Sequence, residues 1–185
     1  MCMGRIKESE AFLAFDILLN NFKCGLKNNR ICEICVMKKS LFILFVLIAN
    51  QSFAQLNTYT FEEAEKLSVQ NPKPFVIFIH TDWCKICKMM QNTTFKNKEV
   101  IKELNQDFYF ISFNAEERKN ISFNKNNFKF KPNGTNTGIH ELAQLLSNQS
   151  YPTITILNSD YTILTQLESF TNAKTLLQIL KKAKN

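Results

Sequence analysis

The chain has 185 residues, of which 45% are hydrophobic and 17 are Phe. This is enough apolar material for one domain with a sizeable core, and it excludes disorder as the main state. The net charge is +7, but seven basic and four acidic residues fall within 1–54, so residues 55–185 carry only +4. That balance is too mild to point to nucleic acid, and the basic stretches 125–131 and 181–184 read as solvated faces.

From Met37 the chain reads MKKSLFILFVLIANQSFAQ. Lys38 and Lys39 form a basic start, residues 41–49 are unbroken apolar sequence, and Ser52, Phe53 and Ala54 stand where a signal peptidase reads. The pattern predicts an export signal over 37–54, cut before Gln55. Its apolar run is shorter than the roughly 20 residues that cross a bilayer. Residues 55–185 are then a periplasmic or secreted mature domain, with no stable membrane insertion after cleavage. No cysteine follows the cut, so no lipid anchor is indicated. A signal belongs at the start of a protein, so residues 1–36 read as a non-native upstream extension and Met37 as the initiator. Cys2, Cys24, Cys32 and Cys35 lie in that extension, which leaves Cys84 and Cys87 as the only thiols of the mature part.

In the mature part, Thr60 and Glu63 have capping-box spacing ahead of a helix whose inward stripe is Phe61, Ala64 and Leu67. Pro72 and Pro74 break it. FVIFIH, residues 75–80, is a continuous aromatic and β-branched run, as in a strand buried on both faces. The cysteine motif follows directly, where strand gives way to helix. Residues 97–106 form a further helix with Val100, Ile101 and Leu104 inward, and 108–114 a second buried strand, parallel to the first through the crossover. Residues 115–137 are polar and read as an insertion, with Ile121, Phe123, Phe128 and Phe130 available for a small hairpin. Such a segment is either a partner surface or an excursion without a role. Residues 138–147 read as a helix with Ile139, Leu142, Ala143 and Leu146 on one stripe. Residues 153–158 and 161–167 are two strands joined by a tight turn at Ser159 and Asp160, and 172–184 is an amphipathic helix with a basic end suited to its dipole. The sum is an α/β chain with a mixed sheet and helices on both faces.

TDWCKICKMM, residues 81–90, holds a C-x-x-C pair that is a redox couple, half of a zinc site, or two inert thiols. Zinc ligation with Cys32 and Cys35 would reach across the export signal at a separation beyond ordinary ribbon spacing. Zinc ligation by His80, Cys84, Cys87 and His140 competes with a packed or surface role for each histidine. An exported chain whose two thiols form one C-x-x-C has no third cysteine to mispair with them, which favours redox chemistry. At the first turn of a helix Cys84 would face unpaired N–H groups and the positive end of the dipole, with Lys85 alongside. Its pKa is then expected below the free value of about 8.5. Cys87, three residues on, lies on the same face and deeper. Cys84 is the expected nucleophile and Cys87 the resolving thiol, with Trp83 a flat apolar contact for a partner. Pro152, alone, reads as a strand-start proline.

Together, strand, W-C-x-x-C-K, helix, strand, helix, then Tyr151-Pro152-Thr153 leading into a hairpin and a last helix resemble the thioredoxin superfamily over residues 56–184. The run TDWCKICKMMQNTTFKNKEV is most similar to the C-terminal thioredoxin-like domain of DsbD-type thiol–disulfide interchange proteins and to related exported proteins. The resemblance implies a thioredoxin fold and disulfide exchange with protein thiols and disulfides, in the reducing direction. It implies a membrane electron donor and no metal or organic cofactor. It also implies a cis peptide before Pro152, packed against the cysteine pair, and pairing of the Tyr151 backbone with bound substrate. A disulfide oxidase or isomerase, or a non-catalytic peptide-binding module, are the competing functions. The chain departs from the family where a buried acid is usual five residues before the Trp, here Phe78, with His80 as a substitute base or a packed ring. It departs also at Lys85-Ile86 between the cysteines and at Glu168-Ser169, where a glycine is usual.

Overall fold

The structure, a computed structural model, describes residues 55–135 and 137–184. The expected export signal, the extension 1–36 and its four cysteines lie outside the described residues. In chain order the elements are α1 (Phe61–Gln70), β1 (Phe75–His80), α2 (Lys85–Asn92), a 3-10 turn at Thr94–Lys96, α3 (Lys98–Asp107), β2 (Tyr109–Asn114) and β3 (Ile121–Phe123). There follow β4 (Asn126–Phe128), β5 (Phe130–Pro132), β6 (Gly138–His140), α4 (Glu141–Leu146), β7 (Thr153–Leu157), β8 (Ile163–Leu167) and α5 (Ala173–Ala183). No helix among the described residues is long and apolar enough to cross a membrane.

The main sheet has the order β2-β1-β7-β8. β1 and β2 are parallel, in register from Phe75 opposite Tyr109 to His80 opposite Asn114. β7 runs antiparallel to β1, and β8 antiparallel to β7. Because side chains alternate along a strand, β1 feeds two cores. Phe75, Ile77 and Ile79 pack with α1, β3 and α4 on one face, and Val76 and Phe78 pack with α2, α3 and α5 on the other. A strand buried on both faces needs the unbroken apolar run that residues 75–79 supply. The free edge of β2 is covered by residues 55–59, where Tyr59 N–H donates to Phe110 O at 2.9 Å and Asn105 clasps Gln55 and Asn57.

Several expectations are corrected in detail. The capping box at Thr60 and Glu63 forms reciprocally, but the buried stripe of α1 is Phe61, Ala64 and Ser68, with Leu67 at its exposed margin. The loop between β7 and β8 is longer than a two-residue turn: Asn158 N–H donates to Thr162 O, and Tyr161 takes a left-handed φ of 69°. The insertion holds two ladders. Ile121, Phe123 and Phe128 belong to β3–β4, whose turn places Asn124 and Lys125 both at positive φ, as a type I′ hairpin requires. Phe130 instead pairs β5 with β6. Residues 138–140 are therefore strand, and the helix expected over 138–147 is shortened to α4. Gly138 explains part of this, since a Cβ there would sit 2.3 Å from the Phe130 ring.

His140 joins these parts. It is wholly buried, its Nδ1 accepts from Leu142 N–H as the N-cap of α4, and its Nε2 lies 3.2 Å from Lys119 O in the insertion. Nδ1 is thus the acceptor and Nε2 the donor of a neutral ring. Burial lowers its pKa, against the upward pull of Lys119 O, Glu141 and Glu117. His80 is lowered too, by burial against Asp82. A depressed histidine contributes stability that is complete above the unfolded value of about 6.5 and is lost as pH falls toward the folded value. The urea midpoint is therefore expected to decline as pH drops from 7 to 5, with a shallower decline in His140→Asn, which keeps a cap acceptor. Equal midpoints for the wild type across that range would contradict this role.

Candidate functional site

β1 hands its chain to the cysteine segment through one turn, closed by Cys84 N–H donating to Thr81 O at 3.3 Å. Cys84 is the N-cap of α2: its backbone is extended and its Sγ accepts from Cys87 N–H at 3.1 Å. A sulfur fills the role that a Ser or Asp oxygen usually fills at this position. Cys84 and Cys87 are joined by a disulfide with an S–S distance of 2.03 Å, and are 6% and 1% exposed. Thr81, Cys84, Cys87 and Met90 are the buried members of the segment, with solvent-facing pairs between them. The sulfurs are thus bonded to each other and both ring nitrogens of His140 are engaged elsewhere, an arrangement that does not gather His80, Cys84, Cys87 and His140 as metal ligands.

The second half of the site arrives with β7. Ile79 faces Thr153 across the sheet, so the residues just before β7 meet the end of β1. The Tyr151–Pro152 peptide is cis, Pro152 is buried, and the half-buried Tyr151 packs against the core cluster that contains both cysteines. Trp83 is 66% exposed, and its ring stands edge-on to Tyr151 with centroids 6.4 Å apart. Beside it, Ile86 and Met89 form the solvent side of α2. Cys84, Cys87, Trp83, Tyr151 and Pro152 thus lie on segments that converge at one end of the sheet.

Phe78 is fully buried, with Phe95 at 4.8 Å and the His80 ring stacked at 5.3 Å. His80 Nε2 lies 3.1 Å from Ser112 Oγ on β2. Beneath this region a cleft of about 270 Å³ is lined by Leu56, Thr58, Phe78, Phe95 and Ser112, and neither cysteine borders it.

Glu116 is a member of the site that the sequence reading passed over as part of a polar excursion. Its Oε1 accepts from the Trp83 indole Nε1–H at 3.1 Å, and its own N–H is held by Asn114 Oδ1 at 2.9 Å. The signal lay in the parallel pairing: His80 and Asn114 are register partners, so residues shortly after each meet at the same sheet end.

A family model described as a thioredoxin-like domain matches residues 61–184. The chain belongs to that family. Among solved structures it is similar to a DsbH oxidoreductase, with 18% identity and a TM-score of 0.51 over 70% of this chain and 84% of the other. A thioredoxin from Thermus thermophilus gives 17% identity and a TM-score of 0.52 over 69% and 86%. A thioredoxin-fold protein from Helicobacter pylori gives 19% and 0.50 over 62% and 70%. Likeness at these identities is one of fold. No curated protein matches the chain.

In this thioredoxin-like domain the indole of Trp83, the chain's one tryptophan, reports on the site without interference. Glu116→Ala is expected to free it, lowering fluorescence anisotropy and raising quenching by acrylamide. Stability should change by no more than about 1 kcal/mol, since the pair is surface-exposed. Unaltered quenching would show that Glu116 does not hold the ring.

Proposed function

We propose that this chain is an exported thiol–disulfide oxidoreductase that reduces protein disulfides through Cys84 and Cys87. The observation that carries the reading is the Cys84 sulfur at the N-cap of α2, accepting the Cys87 N–H and bonded to Cys87, with Tyr151 packed against the same cluster. The donor that caps the sulfur also favours its anion, because hydrogen bonds to charged groups contribute about 1.5–3 kcal/mol. The helix N-terminus adds its positive end. In the reduced pair, the Cys84 thiolate attacks one sulfur of a partner disulfide. A mixed disulfide forms and the other partner sulfur leaves as a thiolate. Deprotonated Cys87 then attacks Cys84, the mixed disulfide breaks, and the second partner sulfur leaves. The pair has lost two electrons and the partner has gained them, and the partner thiolates take up protons from water and from Cys87. A dithiol donor, in our reading a membrane redox protein, returns the two electrons.

The division of labour between the cysteines is supported by their difference in exposure and by the cap that only Cys84 occupies. Trp83, Ile86 and Met89 supply flat apolar surface for a partner, and the Tyr151 backbone would pair with its chain. Export rests on the pattern of residues 37–54. The reducing direction rests on the resemblance of residues 81–100 to DsbD-type domains. Exposed apolar side chains at Trp83, Ile86 and Met89 suit a protein substrate.

The purified chain is expected to reduce insulin with a dithiol donor. Cys84→Ser should lose the activity by several orders of magnitude, while Cys87→Ser accumulates mixed disulfides. Insulin left oxidised by the wild type, with no adduct in Cys87→Ser, would refute the enzyme. An equilibrium potential against glutathione near the thioredoxin value of about −270 mV marks a reductant, and one near −120 mV an oxidant. A mature N-terminus at Gln55 in protein recovered from cells would support export, whereas peptides from residues 1–36 would overturn the proposed start.

A further inference from the structure

Three buried side-chain atoms among the described residues lack a hydrogen bond: Thr81 Oγ1, Tyr151 OH and Glu103 Oε1. Two have compensation at hand. Glu103 Oε1 lies 2.7 Å from the Lys184 ammonium, and the Ser147 hydroxyl sits beside Tyr151. Thr81 has none, although it is only 2% exposed. A buried hydroxyl without a partner is costly, and a valine of the same shape would avoid the cost. The position therefore asks what the hydroxyl does in another state of the molecule.

Its place in the fold supplies a candidate. Thr81 is the last buried residue before Cys84, its carbonyl accepts the Cys84 N–H, and it continues the buried series of Cys84, Cys87 and Met90. In the disulfide form both sulfurs are neutral and weak acceptors. Reduction changes that. An external dithiol delivers two electrons, the S–S bond breaks, Cys84 is left as a thiolate, and Cys87 takes one of the two protons released as the donor closes to its own disulfide. A full negative charge then appears within the turn that holds the Thr81 hydroxyl, and the two sulfurs are free to separate from bonding distance.

We propose that Thr81 is the hydrogen-bond donor to the thiolate of the opened pair, its hydroxyl orphaned in the oxidised state and satisfied in the reduced one. This rests on the oxidoreductase reading and deepens it. Phe78 stands where related domains carry a buried acid, and His80 is engaged with Ser112. Beside the Cys87 N–H that already caps the Cys84 sulfur, the Thr81 O–H is a further uncharged donor in the same turn. The proposal makes Thr81 a redox-linked element: its hydrogen bond stabilises the reduced form and so raises the reduction potential.

The test compares Thr81→Val, Thr81→Ser and Thr81→Ala in the full chain. Hydrogen bonds to charged groups predict a shift of about tenfold or more. In Thr81→Val and Thr81→Ala, the pH at half-maximal alkylation of the reduced pair should rise by about one unit, and the equilibrium with glutathione should move about tenfold toward the disulfide. Thr81→Ser should restore both. Melting of the oxidised Thr81→Val protein should be equal or higher, because the orphan is gone. If Thr81→Val matches the wild type in pH profile and potential, or if Thr81→Ser behaves like Thr81→Val, the proposal is overturned. Insulin reduction by the wild type separates the two failures: an active enzyme with an indifferent Thr81 keeps the oxidoreductase reading, and an inactive one removes both.

Discussion

The pairing of Ile79 with Thr153 is the constraint on which the site depends. It joins two strand ends that are far apart in the chain, one leading into the cysteine turn and the other arriving through Tyr151 and Pro152. Fixing β7 against β1 in this register sets which residues meet at the sheet end. A slip of one residue would turn Ile154 and Ile156 from the α2 face to the other and displace Tyr151 from the cluster that holds the cysteines. The register is secured by burial, because β7 is buried at all five positions and each side chain has one face that accepts it. The site is thus specified by the hydrophobic pattern of two strands before any reactive group is considered.

The two faces of the sheet divide structure from chemistry. The face holding α2, α3 and α5 contains the disulfide within its core, so Cys87 belongs to the same apolar cluster as Phe78, Met90 and Phe110. The opposite face holds α1 and α4 together with the insertion. Phe123 of the insertion lies edge-on to Phe61, Phe75 and Tyr161 at 5.0–5.6 Å. Both readings offered by the sequence, a partner surface or a passive excursion, omitted this. The segment completes a core that α1 and α4, with six buried residues between them, do not close alone. Burial of Phe-sized side chains contributes roughly 1.5–3 kcal/mol each, enough to make β3 part of the domain's stability.

Most of the architecture was legible because its signals are local and redundant. Residues 75–80 announce a doubly buried strand, Thr60 and Glu63 announce a helix start, and the position of Cys84 between them and α3 places it at a cap. What was not legible depends on contacts made across the fold. Gly138, Ile139 and His140 satisfy a helical pattern, and only the approach of Phe130 turns them into a strand. Leu67 and Ser68 exchange places in α1 because the neighbouring sheet fixes the direction of the core. Glu116 looked like one more surface charge until β1 and β2 were laid side by side.

The absence of an acid at Phe78 gives the site a different electrostatic character from the one the resemblance implies. A buried carboxylate near the cysteines would disfavour any thiolate while ionised, and would offer a base for the resolving thiol while doing so. Phe78, packed between Phe95 and His80, removes both effects. His80 does not replace them simply, since burial holds its ring neutral and Ser112 occupies one nitrogen. In the proposed mechanism, charge on sulfur is favoured by dipoles fixed in the fold: the Cys87 N–H, the start of α2 and, as we propose, the hydroxyl at Thr81. Such donors do not titrate. With Phe78 in place of a buried acid, the proposed thiolate would be supported by these fixed donors and by Lys85 alongside, while the Glu116 carboxylate of the same region is engaged by the Trp83 indole.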